Sequence, residues 1–222
     1  MRGGSYATTS VVELINLKRG FLTKIFATLI TQLGITYYVM TNYDRSKDTA
    51  GMVPRTWVLV LLSFGLIVLM AFVPMNLYAK FGLFTAFSGV IGLLFSSLMR
   101  VVDPVLIKTA VLGTLGIFTG FFLLGAMLLL SGITLGVKTG MLLLLSLLTL
   151  IIASVVMIFT GQHTRYMRGI SVVGLVLFSI YIAYDTNRIL QKDYYGDFVT
   201  ASLDYYLDII NIFIRLLNFN HN

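Results

Sequence analysis

The chain has 222 residues, 58% of them apolar and only 11% charged, with a mean hydropathy of +0.92. A soluble domain is about a quarter charged, so a water-facing surface is excluded and an integral membrane protein of one domain is implied. The net charge of +7 comes without a basic patch interleaved with aromatics, which points to headgroup contact rather than nucleic acid, and the lack of cysteine excludes disulfides, iron–sulfur clusters and thiolate zinc sites.

Residues 1–20 form a lead in which Val11 to Lys18 reads as a short amphipathic interfacial helix. The single domain is expected over residues 21–219. Its first apolar span runs from about Phe21 to Met40, too long for the core of a cleavable signal, and Lys24 one turn inside can snorkel outward. A polar loop from Asn42 to Arg55 follows, carrying Asp44, Arg45, Lys47 and Asp48. The second span, about Thr56 to Val73, starts at Trp57 as an interface anchor would and is stopped by Pro74. The connection Met75 to Tyr78 is short enough to predict a helical hairpin. The third span is about Tyr78 to Met99, with Ser88-Gly-Val-Ile-Gly92 putting small residues on one face. A turn from Arg100 to Pro104 leads to the fourth, about Val105 to Leu130, whose Gly116 and Gly120 form a GxxxG expected to be a packing face.

A glycine-rich turn is expected over Ser131 to Gly140, a fifth span over Met141 to Thr160 and a basic loop over Gly161 to Arg168. Of the two histidines, His163 falls in that loop and His221 at the tail, which argues against a histidine metal site. The sixth span is about Gly169 to Arg188 and carries Asp185 near its end; a polar link from Gln191 to Asp197 precedes the seventh. That last segment, about Ala201 to Phe219, is short and polar on one side. Asp204, Asp208, Asn211 and Arg215 recur at spacings of four, three and four, so they share a face, while the other side reads Leu, Ile and Phe. Such a segment lies in the headgroup plane or inside a bundle, and six spans ahead of it favour the interior. The basic residues of the loops nearly balance; Lys18, Arg19 and Lys24 favour a cytoplasmic N-terminus.

Asp185 and Asp208 stand where hydrocarbon should be, and a lone carboxylate there costs roughly 3 kcal/mol on insertion scales. Consecutive antiparallel helices place the two at comparable depth. Two close carboxyls in a low dielectric do not both ionise easily, so the pair titrates as a unit. With a shared proton they tie two helices together; without it they repel, attract cations and offer oxygens suited to a hard ion such as calcium. The plainer reading gives each aspartate a nearby base, for example Arg215 for Asp208. Asp204 reads as a solvated first-turn residue favouring the helix dipole, and Tyr181 and Tyr184 as packing residues, with Tyr184 a hydrogen-bond donor to Asp185. An intramembrane aspartyl protease also carries Tyr-Asp on one helix and Asp on the next. Here Tyr-Tyr-Leu precedes Asp208, Pro-Ala-Leu is missing and the 3 prolines lie far upstream, so no enzyme is expected.

Two stretches, Ile180-Tyr-Ile-Ala-Tyr-Asp-Thr-Asn-Arg-Ile189 and Leu207-Asp-Ile-Ile-Asn-Ile-Phe-Ile-Arg-Leu-Leu217, closely resemble the C-terminal signatures of the transmembrane Bax inhibitor motif family, of the Bax inhibitor, Lifeguard and Golgi anti-apoptotic protein type. Phe21 to Leu33, Asn76-Leu-Tyr and Phe84 to Gly89 resemble its first and third spans. The resemblance implies an all-α integral membrane fold, a seven-helix bundle with the short, polar-faced seventh helix at its centre. It implies a pH-sensitive passive calcium leak, with Asp185 and Asp208 as sensor, gate and transient Ca²⁺ site, and a link to stored calcium and apoptosis regulation. Tyr184, Arg188, Asp204, Asn211 and Arg215 are the supporting residues. No cofactor is implied beyond calcium as the transported ion; the partners are the bilayer, Ca²⁺, H⁺ and membrane proteins. The alternative is a non-conducting regulator acting by protein–protein interaction, for which the glycine face of the fourth span would serve. The membrane is an endomembrane, endoplasmic reticulum or Golgi, if the source is eukaryotic or viral, and the plasma membrane if bacterial. Some members hold an arginine latch near the end of the second span. Here that region reads Leu69-Met-Ala-Phe-Val-Pro74, leaving Lys80, Arg188 or Arg215 as substitutes.

Overall fold

The structure, a computed structural model, describes residues 10–43, 56–96, 102–160, 163–192 and 196–221. Most of the loop from Asn42 to Arg55, Arg100, Gly161 with Gln162, and the middle of the link before the last helix lie outside the described residues. Among those described there are eight helices and no strand: α1 Val11–Leu17, α2 Arg19–Asn42, α3 Thr56–Phe72, α4 Leu77–Phe95, α5 Pro104–Leu130, α6 Val137–Phe159, α7 His163–Lys192 and α8 Phe198–His221. Four of them, α4 to α7, contain stretches long and apolar enough to cross a bilayer, and α3 is apolar but shorter at 17 residues. The outward faces of α5 and α6 are apolar: Leu112, Leu115 and Met127, and Leu142, Leu145 and Ile152, are all exposed. Continuous exposed apolar surface of this kind is lipid-facing, and the protein is integral to a membrane.

Local chemistry sets the helix ends. Ser10 caps α1 by accepting from the Glu13 N–H at 3.2 Å, and Asn76 caps α4 by accepting from the Ala79 N–H at 2.8 Å, just beyond the proline that ends α3. Asp197 caps α8, accepting from the Thr200 N–H at 2.9 Å. That cap starts the helix three residues before the apolar run, so α8 has 24 residues and is not the short segment expected. Asp204 consequently lies in its second turn, half-buried, rather than as a solvated first-turn residue. The expected basic loop before the sixth span is also helical from His163 onward, because nothing in His163 to Arg168 breaks a helix. The glycine-rich turn is shorter than expected: α6 already begins at Val137, after Gly132 turns the chain at φ 78°.

The described residues form two compact units: residues 24–104 with 197–206, and residues 1–23 and 105–196 with 207–222. In the first, α2 and α4 lie side by side and parallel. Gln32 Nε2 donates to Thr85 Oγ1 at 3.1 Å, and one turn on Thr36 Oγ1 donates to the Ser88 carbonyl at 3.0 Å. Gly92 permits this approach, since a β-carbon there would stand 2.7 Å from Val39 Cβ and 2.8 Å from the Thr36 carbonyl oxygen. α3 packs back against α4 as the predicted hairpin. The first turns of α8 join this unit through Ser202 Oγ, which donates to the Ile25 carbonyl at 3.0 Å.

In the second unit α6 packs on α7, and α5 meets α7 at Gly125, where a β-carbon would run into the Ala183 carbonyl. The expected packing glycines do not serve that purpose. Gly116 and Gly120 are exposed, with nothing within 4 Å of a β-carbon built on either. The GxxxG presents its small face outward, and the close contact with α7 falls five residues later, on Gly125.

Candidate functional site

α7 carries Asp185 and α8 carries Asp208, and both carboxylates are buried, at 6% and 4% exposure. Ile182 and Ala183 are buried near the first, together with the polar Thr186 and Asn187, and Ile209 and Ile212 near the second. Tyr181, one turn before Asp185, has its hydroxyl within electrostatic reach of Asp208, Asp185 and Tyr184. The second unit thus holds both buried carboxylates, Asp185 on α7 and Asp208 on α8.

The supporting residues separate by role. Tyr184 is buried, its hydroxyl set directly over Gly140 of α6, where any side chain would collide with it. Arg188 is exposed and holds its guanidinium 5.3 Å from the centre of the Tyr184 ring, a cation–π contact. Asn211 is half-buried and its amide donates to the Leu207 carbonyl of its own helix at 2.8 Å. Arg215 lies across Gly174 of α7, where a β-carbon would come within 2.6 Å of Nε. Asp204 is half-buried in the other unit.

Of the three bases weighed as a latch, Lys80 has a carboxylate of its own. Its ammonium donates to Asp197 Oδ2 at 2.6 Å and to Thr200 Oγ1 at 2.9 Å, so the start of α4 is clamped to the cap of α8. Lys24 adds a contact from α2, 5.9 Å from the Phe198 ring centre. Burial works against the Asp197 charge, but the bonds from Lys80 and Thr200 outweigh it and hold the carboxyl below its ordinary 3.8. A carboxyl depressed on folding adds stability that is present above its unfolded value and lost as pH falls through the folded one. The clamp is therefore expected to persist through neutral and mildly acidic pH and to release only in stronger acid. In thermal unfolding across pH, Lys80→Met should lie below the wild type near neutrality and converge with it at the acid end.

Asn187, two residues after Asp185, is fully buried and organises the α5–α6 turn. Its Oδ1 accepts from the Leu135 N–H at 2.8 Å and from Gln191 Nε2 at 2.5 Å, while Nδ2 donates to the carbonyls of Ile133 at 3.0 Å and Gly125 at 3.2 Å. A reading of the sequence passes over it, although the argument that singles out a buried aspartate applies to any polar side chain in an apolar span. Gln32, Thr36 and Tyr206 escape notice for the same reason. The side of α8 opposite Asp208 is also more polar than expected, since Ser202 and Tyr206 there are fully buried and hydrogen-bonded.

Among the described residues no three Asp, Glu, His or Cys come together as a metal cage. A cleft of about 580 Å³ between α6 and α7 is lined by Leu145, Leu150, Ile170 and Val173. The Ser146 and Thr149 hydroxyls at its wall bond back to their own helix at 2.9 Å each, and Tyr166 of α7 also lines it.

The profile of the family described as inhibitor of apoptosis-promoting Bax1 matches residues 18–221. Bax inhibitor 1 of Schizosaccharomyces pombe is 30% identical to this chain, over 95% of it and 79% of the yeast protein. Protein LIFEGUARD 4 of Arabidopsis thaliana is 24% identical over 94% of this chain and 87% of its own. An uncharacterised protein of Helicobacter pylori is 32% identical over 64% of this chain and 60% of its own. With both signature stretches on α7 and α8 inside the matched region, the chain belongs to the Bax inhibitor family.

Proposed function

We propose that this protein is a pH-sensitive passive calcium leak of the Bax inhibitor type, in which Asp185 and Asp208 are the gate and the passing ion's oxygen ligands. The supporting observation is the burial of both carboxylates, on α7 and α8, within one compact unit. Charges buried among apolar helices are retained for use, since each is otherwise expensive. A shared proton holds α7 to α8. Its loss leaves two negative groups that repel each other and draw a cation. Calcium takes six to eight oxygens, so two carboxylates favour a transient stop over a resident site. Tyr184, Arg188, Asn211, Arg215 and Asp204 set the charge and hydrogen bonding around the pair. The reading treats residues 21–219 as one transmembrane domain of seven spans, α2 to α8, around α8. Through the apoptosis-inhibiting description of its family, it connects the leak to stored calcium and cell death in an endomembrane, or to the plasma membrane of a bacterium.

The exposed Gly116 and Gly120 favour a second reading, a non-conducting regulator that offers α5 to a membrane-protein partner. Calcium efflux from liposomes holding the purified protein separates the two. The wild type should leak with a rate that changes from acidic to mildly basic pH, and Asp208→Asn should remove that dependence. No flux above empty liposomes at any pH rejects the channel and leaves the regulator. Equal flux in wild type and variant keeps a channel but moves the gate elsewhere.

A further inference from the structure

The first unit contains a polar cluster that neither the carboxylate pair nor the family resemblance uses. It lies among α2, α4 and the first turns of α8. Gln32, Ser88 and Tyr206 are fully buried there, and Thr36 is 4% exposed. The Tyr206 phenol shares a 2.5 Å hydrogen bond with Thr36 Oγ1, and the rings of Phe84 and Phe87 meet it edge-on at 5.2 and 5.7 Å. The Ser88 hydroxyl also faces the phenol, without the geometry of a hydrogen bond.

Two polar atoms in this cluster, Gln32 Oε1 and Ser88 Oγ, are buried with no hydrogen-bond partner among the described residues. Exchanging the oxygen and nitrogen of the Gln32 amide would only leave its NH₂ unmatched instead, so one end requires a partner either way. Buried polar groups are matched by protein or by water in the great majority of cases, and unmatched ones cost about 1–3 kcal/mol each. In hydrocarbon the pressure is greater.

We infer that a bound water occupies the space between Gln32, Ser88 and Tyr206, making a hydration site inside the membrane-embedded α2–α4–α8 cluster. Gln32 Nε2 bonds Thr85 of α4, and Ser88 lies one turn further along the same helix, so the two unmatched atoms belong to adjoining turns of one cluster. The chemistry selects water over a cation, because Gln32, Thr36, Thr85, Ser88 and Tyr206 carry no formal charge to offset one. Water also finds the two to four polar partners it needs. Tyr206 and Asp208 are two residues apart, about 200° around α8, so the site is on the opposite face of the helix from the carboxylate and does not depend on the leak.

Radiolytic footprinting of the full chain in nanodiscs with ¹⁸O water tests this, because hydroxyl radicals formed from a bound water oxidise the side chains beside it. Tyr206 and Phe84 should label several-fold faster than Phe122, a buried ring of α5 outside the cluster. Gln32→Met with Ser88→Ala removes both unmatched groups without adding bulk and should bring the labelling of Tyr206 and Phe84 down to that of Phe122. Labelling of Tyr206 no faster than Phe122 in the wild type means a dry cluster and overturns the inference. So does fast labelling that persists in the double variant. If the double variant does not fold, the wild-type comparison and Ser88→Ala alone decide.

Discussion

Asn187→Leu should lower the thermal unfolding midpoint in detergent and the yield of monodisperse protein more than any change at an exposed position. The leucine fits the volume but breaks four hydrogen bonds at once: those to Leu135 N–H, Gln191 Nε2 and the Ile133 and Gly125 carbonyls. Three of these partners are backbone groups. An abandoned backbone group costs about 1–3 kcal/mol when it stays buried, so a loss of about 3–5 kcal/mol is expected, in the range reserved for broken buried networks. Gln191→Leu is the comparison. It gives up the bond to Asn187 and the long contact to the Leu135 carbonyl at 3.5 Å, and should lose only about 1 kcal/mol. Similar losses in the two variants would mean that the α5–α6 turn holds its shape without Asn187.

Gly125→Val should be nearly as damaging, for a steric reason. The first added carbon meets the Ala183 carbonyl, with Ala183 Cα at 3.0 Å and Thr186 Cβ at 2.9 Å. These belong to the backbone and stem of α7, not to a flexible tip, so the helices must part. Overpacking costs about 1–3 kcal/mol, and this site should sit at the top of that range. Gly116→Ala and Gly120→Ala on the same helix meet nothing within 4 Å and should shift stability by less than about 0.5 kcal/mol. The contrast can be read in one series of detergent melting curves; equal tolerance at all three positions would show that α5 and α7 do not depend on Gly125. Because Asn187 donates to the Gly125 carbonyl, the two damaging changes share a partner and should not add when combined.

Hydropathy alone locates most of the helices, because a span near 20 residues is a property of the stretch itself. The expected spans at Thr56, Val105 and Leu130 agree with α3 and α5 to within a residue. The larger departures come where polar or glycine residues are helical, at Val137 to Gly140, at His163 to Arg168, at the end of α7 and at the start of α8. There an apolar count stops early, whereas a cap such as Asp197 or an uninterrupted backbone carries the helix on.

Asp185 and Asp208 are legible for the same local reason: a carboxylate within an apolar run is conspicuous without any neighbour. Membrane insertion, helical class and the two costly carboxylates are thus determined by the sequence by itself, each through the free energy of placing a residue in hydrocarbon. Tertiary structure decided which glycine brings α5 against α7, which base meets which acid, and that Asn187 and Tyr206 are buried as deeply as the aspartates. A GxxxG is the same whether it faces a helix or lipid, and Lys80 finds Asp197 across 117 positions of chain. Such pairings depend on the approach of distant backbones, and no single stretch of residues encodes that distance.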